Sequence, residues 1–280
     1  MNKTQKAALW GLGLAVAGAA ACWNGYVVRR YPIETGRLPA GARVRILLLA
    51  DLHGEPEAWR RKRLAALVGA QRPDLIALSG DIFDDRRPFS HTEDFLRRIA
   101  GVAPIFYAVG NHECRTGRLG EIARRAGDCG VTLLAGNWVS ACGGLLAVAG
   151  AEDWESPQFG SPGAWFSACA RDFAPLWDDR RLRVLLSHKP ELVRAYFRLP
   201  FDLMLSGHTH GGQVRLPGLC NGLYAVRQGL FPRWVGGRYR LGGRDLVVSR
   251  GVSRYPALPR VFNPPEVSVI DLTGAAGRAL

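Results

Sequence analysis

The chain has 280 residues, 48% apolar and 22% charged, a balance that excludes a coiled coil, a collagen-like repeat and a chain whose ordinary state is disorder. Thirty-seven Lys and Arg against 24 Asp and Glu leave a formal charge of +13, which favours anionic partners such as nucleic acid, lipid headgroups or phosphorylated substrates without choosing among them. Six scattered cysteines with no CxxC pair argue against a disulfide framework and lean toward free thiols in a reducing compartment.

The first feature in chain order is an uncharged run of 22 residues, Ala7 to Val28, preceded by Lys3 and Lys6 and followed by Arg29 and Arg30. As a helix it would reach roughly 33 Å, enough to span a bilayer core, with Trp10, Trp23 and Tyr26 near its ends. A retained anchor, a cleavable signal peptide and a buried core helix all fit this pattern. The sequence therefore divides into an anchor or signal segment (1–30), a Pro/Gly-bearing linker (31–43) and one folded domain (44–280).

Short apolar runs then alternate with amphipathic stretches. Strands are predicted at Val44–Ala50, Leu75–Gly80, Pro104–Gly110, Leu145–Gly150, Arg183–Ser187, Asp202–Gly207, Asp245–Ser249 and Glu266–Asp271. Helices are predicted at Pro56–Ala70, His91–Ala100, Gly117–Ala126 and Pro190–Phe197. Continuous apolar runs mark strands covered on both faces, so the expected fold is α/β, a layered β-sandwich flanked by helices.

Five motifs sit where these strands end: Asp51-Leu52-His53, Gly80-Asp81, Gly110-Asn111-His112-Glu113, Ser187-His188, and Gly207-His208-Thr209-His210-Gly211-Gly212. Ligands bind at the carboxyl edge of strands in α/β sheets, so loops far apart in sequence can converge on one crevice. Five of the six histidines lie in these motifs, and only His91 is outside. Imidazole, carboxylate and carboxamide donors suit Zn, Mn or Fe(II) and are too rich in nitrogen for a Ca²⁺ or Mg²⁺ cage. Seven candidate ligands exceed the needs of one ion and imply two divalent metal ions.

In this order the DxH, GD, GNHE, H and GHTHGG motifs resemble the calcineurin-like metallophosphoesterases over nearly the whole chain after residue 43. The resemblance implies that Asp51, His53 and His210 hold one metal, that Asn111, His188 and His208 hold the other, and that Asp81 bridges them. His112 then resembles the protonating histidine. Two cations in such a site clamp a phosphate, acidify a bridging water and stabilise in-line displacement. An imidazole beside the leaving oxygen supplies its proton.

The tail, SGHTHGGQVRLPG (Ser206–Gly218), VSRG (Val248–Gly251) and NPPEVSVIDL (Asn263–Leu272), resembles the membrane-anchored bacterial branch, similar to phosphodiesterases and UDP-2,3-diacylglucosamine pyrophosphatases of lipid A synthesis. That likeness implies a lipid-linked pyrophosphate substrate at the inner face of the cytoplasmic membrane, with an exported domain as the alternative. Between Tyr224 and Arg240, arginines and aromatics interleave, and Arg227, Arg233 and Trp234 could hold a nucleotide and its pyrophosphate; the same stretch also reads as a β-hairpin with surface arginines. Arg60, Arg61, Lys62 and Arg63 read as a solvated face or an anionic-lipid contact. A nuclease is the alternative that the charge favours, although duplex DNA is an awkward partner for a tethered site. A catalytically dead scaffold is the remaining alternative, and metal analysis separates it from an enzyme.

Overall fold

The computed structural model describes Gln5, Trp10, Gly18 and residues 21–254 and 260–275. Strands β1 (Val27–Thr35), β2 (Arg43–Leu49), β3 (Leu75–Ser79), β4 (Ile105–Ala108), β5 (Val131–Leu133) and β14 (Glu266–Gly274) form one sheet, ordered β1-β14-β2-β3-β4-β5. Strands β6 (Asn137–Ala141), β7 (Leu146–Gly150), β8 (Leu182–Leu186), β9 (Leu203–Ser206), β12 (Gly237–Leu241) and β13 (Arg244–Val248) form a second, ordered β12-β13-β9-β8-β7-β6. The short pair β10 (Tyr224–Ala225) and β11 (Gly229–Leu230) stands apart as an antiparallel hairpin. Within the sheets β2, β3, β4 and β5 run parallel, as do β7, β8, β9 and β13, so their carboxyl ends gather on one edge.

Each central strand divides its side chains between two cores. Ile46 and Leu48 of β2 face the second sheet and pack in one cluster with Val148, Val184, Leu186 and Leu205. Leu47 and Leu49 point the other way, onto α1 (Ala58–Ala70), α2 (Phe89–Ile99) and α4 (Leu119–Gly127), through Leu64, Val68, Phe95, Leu96 and Ile122. On the far side Leu185, Met204 and Leu246 pack on α5 (Pro162–Asp172) and α6 (Val193–Tyr196) through Trp165, Cys169 and Tyr196. Every apolar position of these runs is therefore buried, each fully buried Leu, Ile or Val contributing roughly 1.5–3 kcal/mol, and none of these central strands alternates with solvent. The remaining short helix, α3 (Asn111–Arg115), opens directly from the end of β4.

The eight predicted strands and the first three predicted helices are present within a few residues of their expected bounds. Pro190–Phe197 is instead a 3-10 turn (Pro190–Leu192) followed by α6. Residues 31–35, read as linker, are not a connector: they belong to β1, whose nine residues pair in parallel with Glu266–Gly274. The last residues of the apolar run, Val27 and Val28, lie in the same strand, and most of that run lies outside the described residues. Among the described residues no helix is long and apolar enough to cross a membrane. The basic run is also not a solvated face throughout. Arg60 and Arg61 are buried, Arg60 bonded to Glu55 (3.0 Å) and Arg61 to Asp94 (2.7 Å), while Lys62 and Arg63 stay exposed.

Candidate metal centre

The candidate ligands come from both sheets. Asp51 and His53 follow β2, Asp81 follows β3, and Asn111 and His112 open α3 after β4, whereas His188 follows β8 and His208 and His210 follow β9. The two edges approach too closely for side chains at some points. A Cβ on Gly80 would lie 2.4 Å from Nδ1 of His188, and one on Gly207 would lie 2.3 Å from Cβ of Ala50. Asp51, His53, Asp81, His208 and His210 all adopt positive φ, between 47° and 74°, a region costly to residues with a Cβ.

These turns aim the side chains at a common point. Asp51, His53 and His210 form one group of converging donor atoms, and Asp81, His188 and His208 form a second. In the first, His210 Nε2 lies 3.6 Å from Asp51 Oδ1 and 3.3 Å from His53 Nε2. In the second, His188 Nε2 lies 2.9 Å from Asp81 Oδ2 and 3.2 Å from His208 Nδ1. His53 Nε2 is 3.9 Å from the same Asp81 oxygen, so that carboxylate faces both groups. Asn111 Oδ1 is buried without a partner, and Asn111 lines the crevice with Asp81, His112 and His208.

The remaining ring nitrogens are anchored. His53 Nδ1 donates to Asp84 (2.9 Å) and His188 Nδ1 donates to the Ser79 carbonyl (2.8 Å). Both Nε2 atoms then turn a lone pair toward Asp51 and Asp81, an arrangement that repels unless a proton or a cation lies between. Burial lowers His208 and His210 well below the ordinary imidazole value, which keeps both neutral. At His188 burial is outweighed by Asp81 and Asp51, which push it up to about 10. Positive charge is thus demanded where the carboxylates meet, and the unpartnered Asn111 oxygen offers a further neutral donor. Burial pushes the Cys114 thiol up, so no thiolate joins the set. Nitrogen and oxygen donors with two carboxylates fit divalent cations.

A surrounding layer of hydrogen bonds holds this arrangement. The Glu113 carboxylate accepts the backbone N–H groups of Asp81 (3.0 Å), Ile82 (2.6 Å), Phe83 (2.9 Å) and Gly110 (2.8 Å), together with the Tyr107 hydroxyl. Burial and the charge of Asp81 push this carboxyl up to about 7, against five donors that favour its anion. His112 Nδ1 is 2.6 Å from Asp85 and 3.5 Å from Asp84, which presents Nε2 toward Asp81, 4.0 Å away. Sequence reasoning missed Asp84 and Asp85, although they lie three and four positions after Asp81 on the same loop.

The crevice above these groups has a volume of about 280 Å³ and is closed on one side by Tyr224, Ala225 and Val226, with Arg115 beside His112. The Tyr224–Arg240 stretch therefore reaches the site through its first three residues. Arg227, Arg233 and Trp234 do not line the crevice. Arg227 pairs with Glu155 and stacks on Trp154, while Arg233 lies over the buried Trp234 ring.

At the strand ends of a two-sheet sandwich, carboxylates and imidazoles thus gather in two groups that could each hold a metal ion. The calcineurin-like phosphoesterase family model matches residues 44–212, and the chain belongs to that family of metal-dependent phosphoesterases. It is similar to the phosphodiesterase YaeI of Escherichia coli (strain K12), 32% identical over 238 residues that cover 81% of this chain and 82% of that one. An uncharacterized metallophosphoesterase of Aquifex aeolicus is 27% identical over 252 residues, covering 88% and 92%. The crystal structure of TT1561 of Thermus thermophilus shares the fold, with a TM-score of 0.52 at 15% identity over 74% of this chain and 89% of that one.

Proposed function

We propose that the chain hydrolyses phosphodiesters with two divalent cations. Asp51, His53 and His210 would hold one, Asn111, His188 and His208 the other, and Asp81 would serve both. Bound there, the cations supply Lewis acidity and charge for an in-line displacement at phosphorus. The observation that carries this reading is the Asp81 carboxylate set between two anchored imidazoles, 2.9 Å from His188 and 3.9 Å from His53, on an open crevice.

The chain's own groups divide the remaining work. His112, steered by Asp85, offers Nε2 to the leaving oxygen as proton donor. Arg115, whose guanidinium reaches to 3.4 Å of that nitrogen, binds a phosphate oxygen at the mouth. The Glu113 nest fixes the Asp81 backbone. The likeness to YaeI supports a diester, and the absence of Arg227, Arg233 and Trp234 from the crevice lining favours it over a nucleotide pyrophosphate. The apolar run before Val28 and the tail's resemblance support a membrane-proximal substrate.

The test is a hydrolysis panel on the Mn²⁺-loaded full chain: an aryl phosphodiester, an aryl monoester, UDP-2,3-diacylglucosamine and duplex DNA. The diester should turn over fastest and EDTA should abolish the activity. Asp81→Asn should remove more activity than any other single change at the site and lower bound metal at the same time. Wild-type turnover with full metal content in that variant would refute its shared position.

A further inference from the structure

From Ser206 to Arg244 the chain carries six arginines and no Asp or Glu. The same stretch holds much of the exposed apolar surface. Leu219 is 81% exposed, Leu230 67% and Phe231 68%, with Tyr224 and Val226 about half exposed beside them. The hairpin geometry keeps these side chains out of the core: Tyr224 pairs with Leu230, and the Phe231 amide donates to the Leu223 carbonyl (2.9 Å). Arg227 is matched by Glu155, but Arg215 and Arg233 add positive charge along a rim that contributes no acid of its own.

The rim also meets the point where the chain enters the fold. Arg215 N donates to Val261 O (2.9 Å), Val261 N donates to Gln213 O (3.2 Å), and Phe262 N donates to Ala21 O (2.6 Å). The apolar run that precedes Ala21 therefore joins the domain beside this surface, next to the exposed rings of Phe262, Trp23 and Trp59. Arg63 and Arg254 line the depression beneath Cys22 and Trp59.

Apolar tips on a stretch that carries no Asp or Glu, basic side chains behind them and tryptophans at the margin match the chemistry of an anionic bilayer surface, where rings and aliphatic side chains enter the headgroup layer and arginines meet phosphates. A duplex nucleic-acid groove reads phosphates and would gain nothing from the aliphatic tips Leu219 and Leu230 standing in water. We propose that the 213–233 rim is a docking surface for an anionic lipid bilayer, seated so that the crevice between Val226 and His112 opens toward the headgroups. This rests on the phosphodiesterase reading and names the surface from which that site takes its substrate. Tyr224 and Val226 belong to both the rim and the crevice wall, so a lipid-borne phosphodiester is lifted only a short way to reach His112.

The test compares the full chain with its Leu230→Asp/Phe231→Asp variant in detergent, in phosphatidylcholine discs and in phosphatidylcholine discs containing phosphatidylglycerol, by hydrogen exchange. Neither substituted residue lines the crevice. In discs containing phosphatidylglycerol, exchange across residues 213–233 of the wild type should slow by about tenfold relative to detergent, less so in phosphatidylcholine alone, and the variant should return to the detergent rate. Turnover of a soluble aryl diester should stay within about twofold between the two proteins, since the chemistry is untouched. Exchange that is unchanged in discs, equal protection in the variant, or protection of the rim by duplex DNA but not by discs would overturn the proposal. If the wild type lacked diester turnover while the rim was protected, the catalytic reading would fail and the docking surface would stand.

Discussion

Glu113→Gln isolates the scaffold that sets Asp81. In the native protein one carboxylate oxygen takes the Ile82 and Phe83 amides and the Tyr107 hydroxyl, and the other takes the Asp81 and Gly110 amides. A glutamine must place its NH₂ on one side. The less damaging choice abandons the Asp81 and Gly110 amides, leaves two buried donors facing a donor, and removes the negative charge that the other three bonds share. Two charge-assisted bonds at roughly 1.5–3 kcal/mol each give a loss of about 3–6 kcal/mol. For a domain of this size that corresponds to a fall in Tm on the order of 10 °C. Because the lost partner is the Asp81 backbone itself, bound metal and diester turnover should fall together, although Glu113 touches neither substrate nor ion. Calorimetry and metal analysis of purified Glu113→Gln read both. A Tm within about 1 °C of wild type would show that the nest is not held by charge-assisted bonds, and normal metal content would show that it does not set the site.

His112→Gln should leave metal content near normal and slow turnover by about 10²–10⁴-fold, with a smaller loss for diesters whose leaving group needs no proton. Collapse of metal binding would make His112 a ligand. Asp94 is held below the ordinary carboxylate range by Arg98 and then Arg61, outweighing its partial burial, so its contribution to stability is present above the unfolded carboxylate pKa and is lost as pH falls through the depressed folded value. Asp94→Asn should therefore lower Tm by roughly 2 °C at pH 7, with the deficit vanishing in acid; a deficit that persists there would assign the effect to packing. A chain starting at Ala21 keeps all of β1, whereas one starting at Arg30 loses Val27, Val28 and the Arg29–Glu266 ion pair (3.2 Å). The shorter chain should melt several degrees below the longer one, and equal melting would show that the first three residues of β1 add nothing to the fold.

The strands that carry ligands could be read from the sequence because burial on both faces leaves uninterrupted apolar runs, as in Leu75–Ser79, and because Asp, Asn and His follow them directly. β1 could not. Its residues alternate between exposed and half-buried, Pro32 is tolerated because the strand lies at the sheet edge, and its partner β14 is distant in sequence. An apolar run ending at Val28 then masked where the strand begins. Arg60 and Arg61 misled for a related reason: a cluster of charges reads as solvated until Glu55 and Asp94 are seen to meet it. Nothing local in Arg227, Arg233 and Trp234 separates a phosphate clamp from a hairpin whose arginine is taken up by Glu155.

The glycines of the motifs were the most informative letters beside the ligands themselves, and the reason is steric. The two sheet edges close until Gly80 lies against the His188 ring and Gly207 against Ala50 and Asp51, distances at which no Cβ fits. That approach is what allows Asp81 from one sheet and His188 from the other to meet at 2.9 Å. It also forces the ligand residues themselves into positive φ, at roughly 1–3 kcal/mol each. Such strain persists only where surrounding structure over-determines it, here through the Glu113 nest, the Asp84 and Ser79 anchors on the imidazoles, and the amide of His208 donating to both oxygens of Asp51 at 3.1 Å. Without an added charge, the outcome is a set of carboxylates and lone pairs forced toward one another. Divalent cations at that point would turn the repulsion into coordination, so the same turns that cost stability in the bare chain become the source of metal affinity.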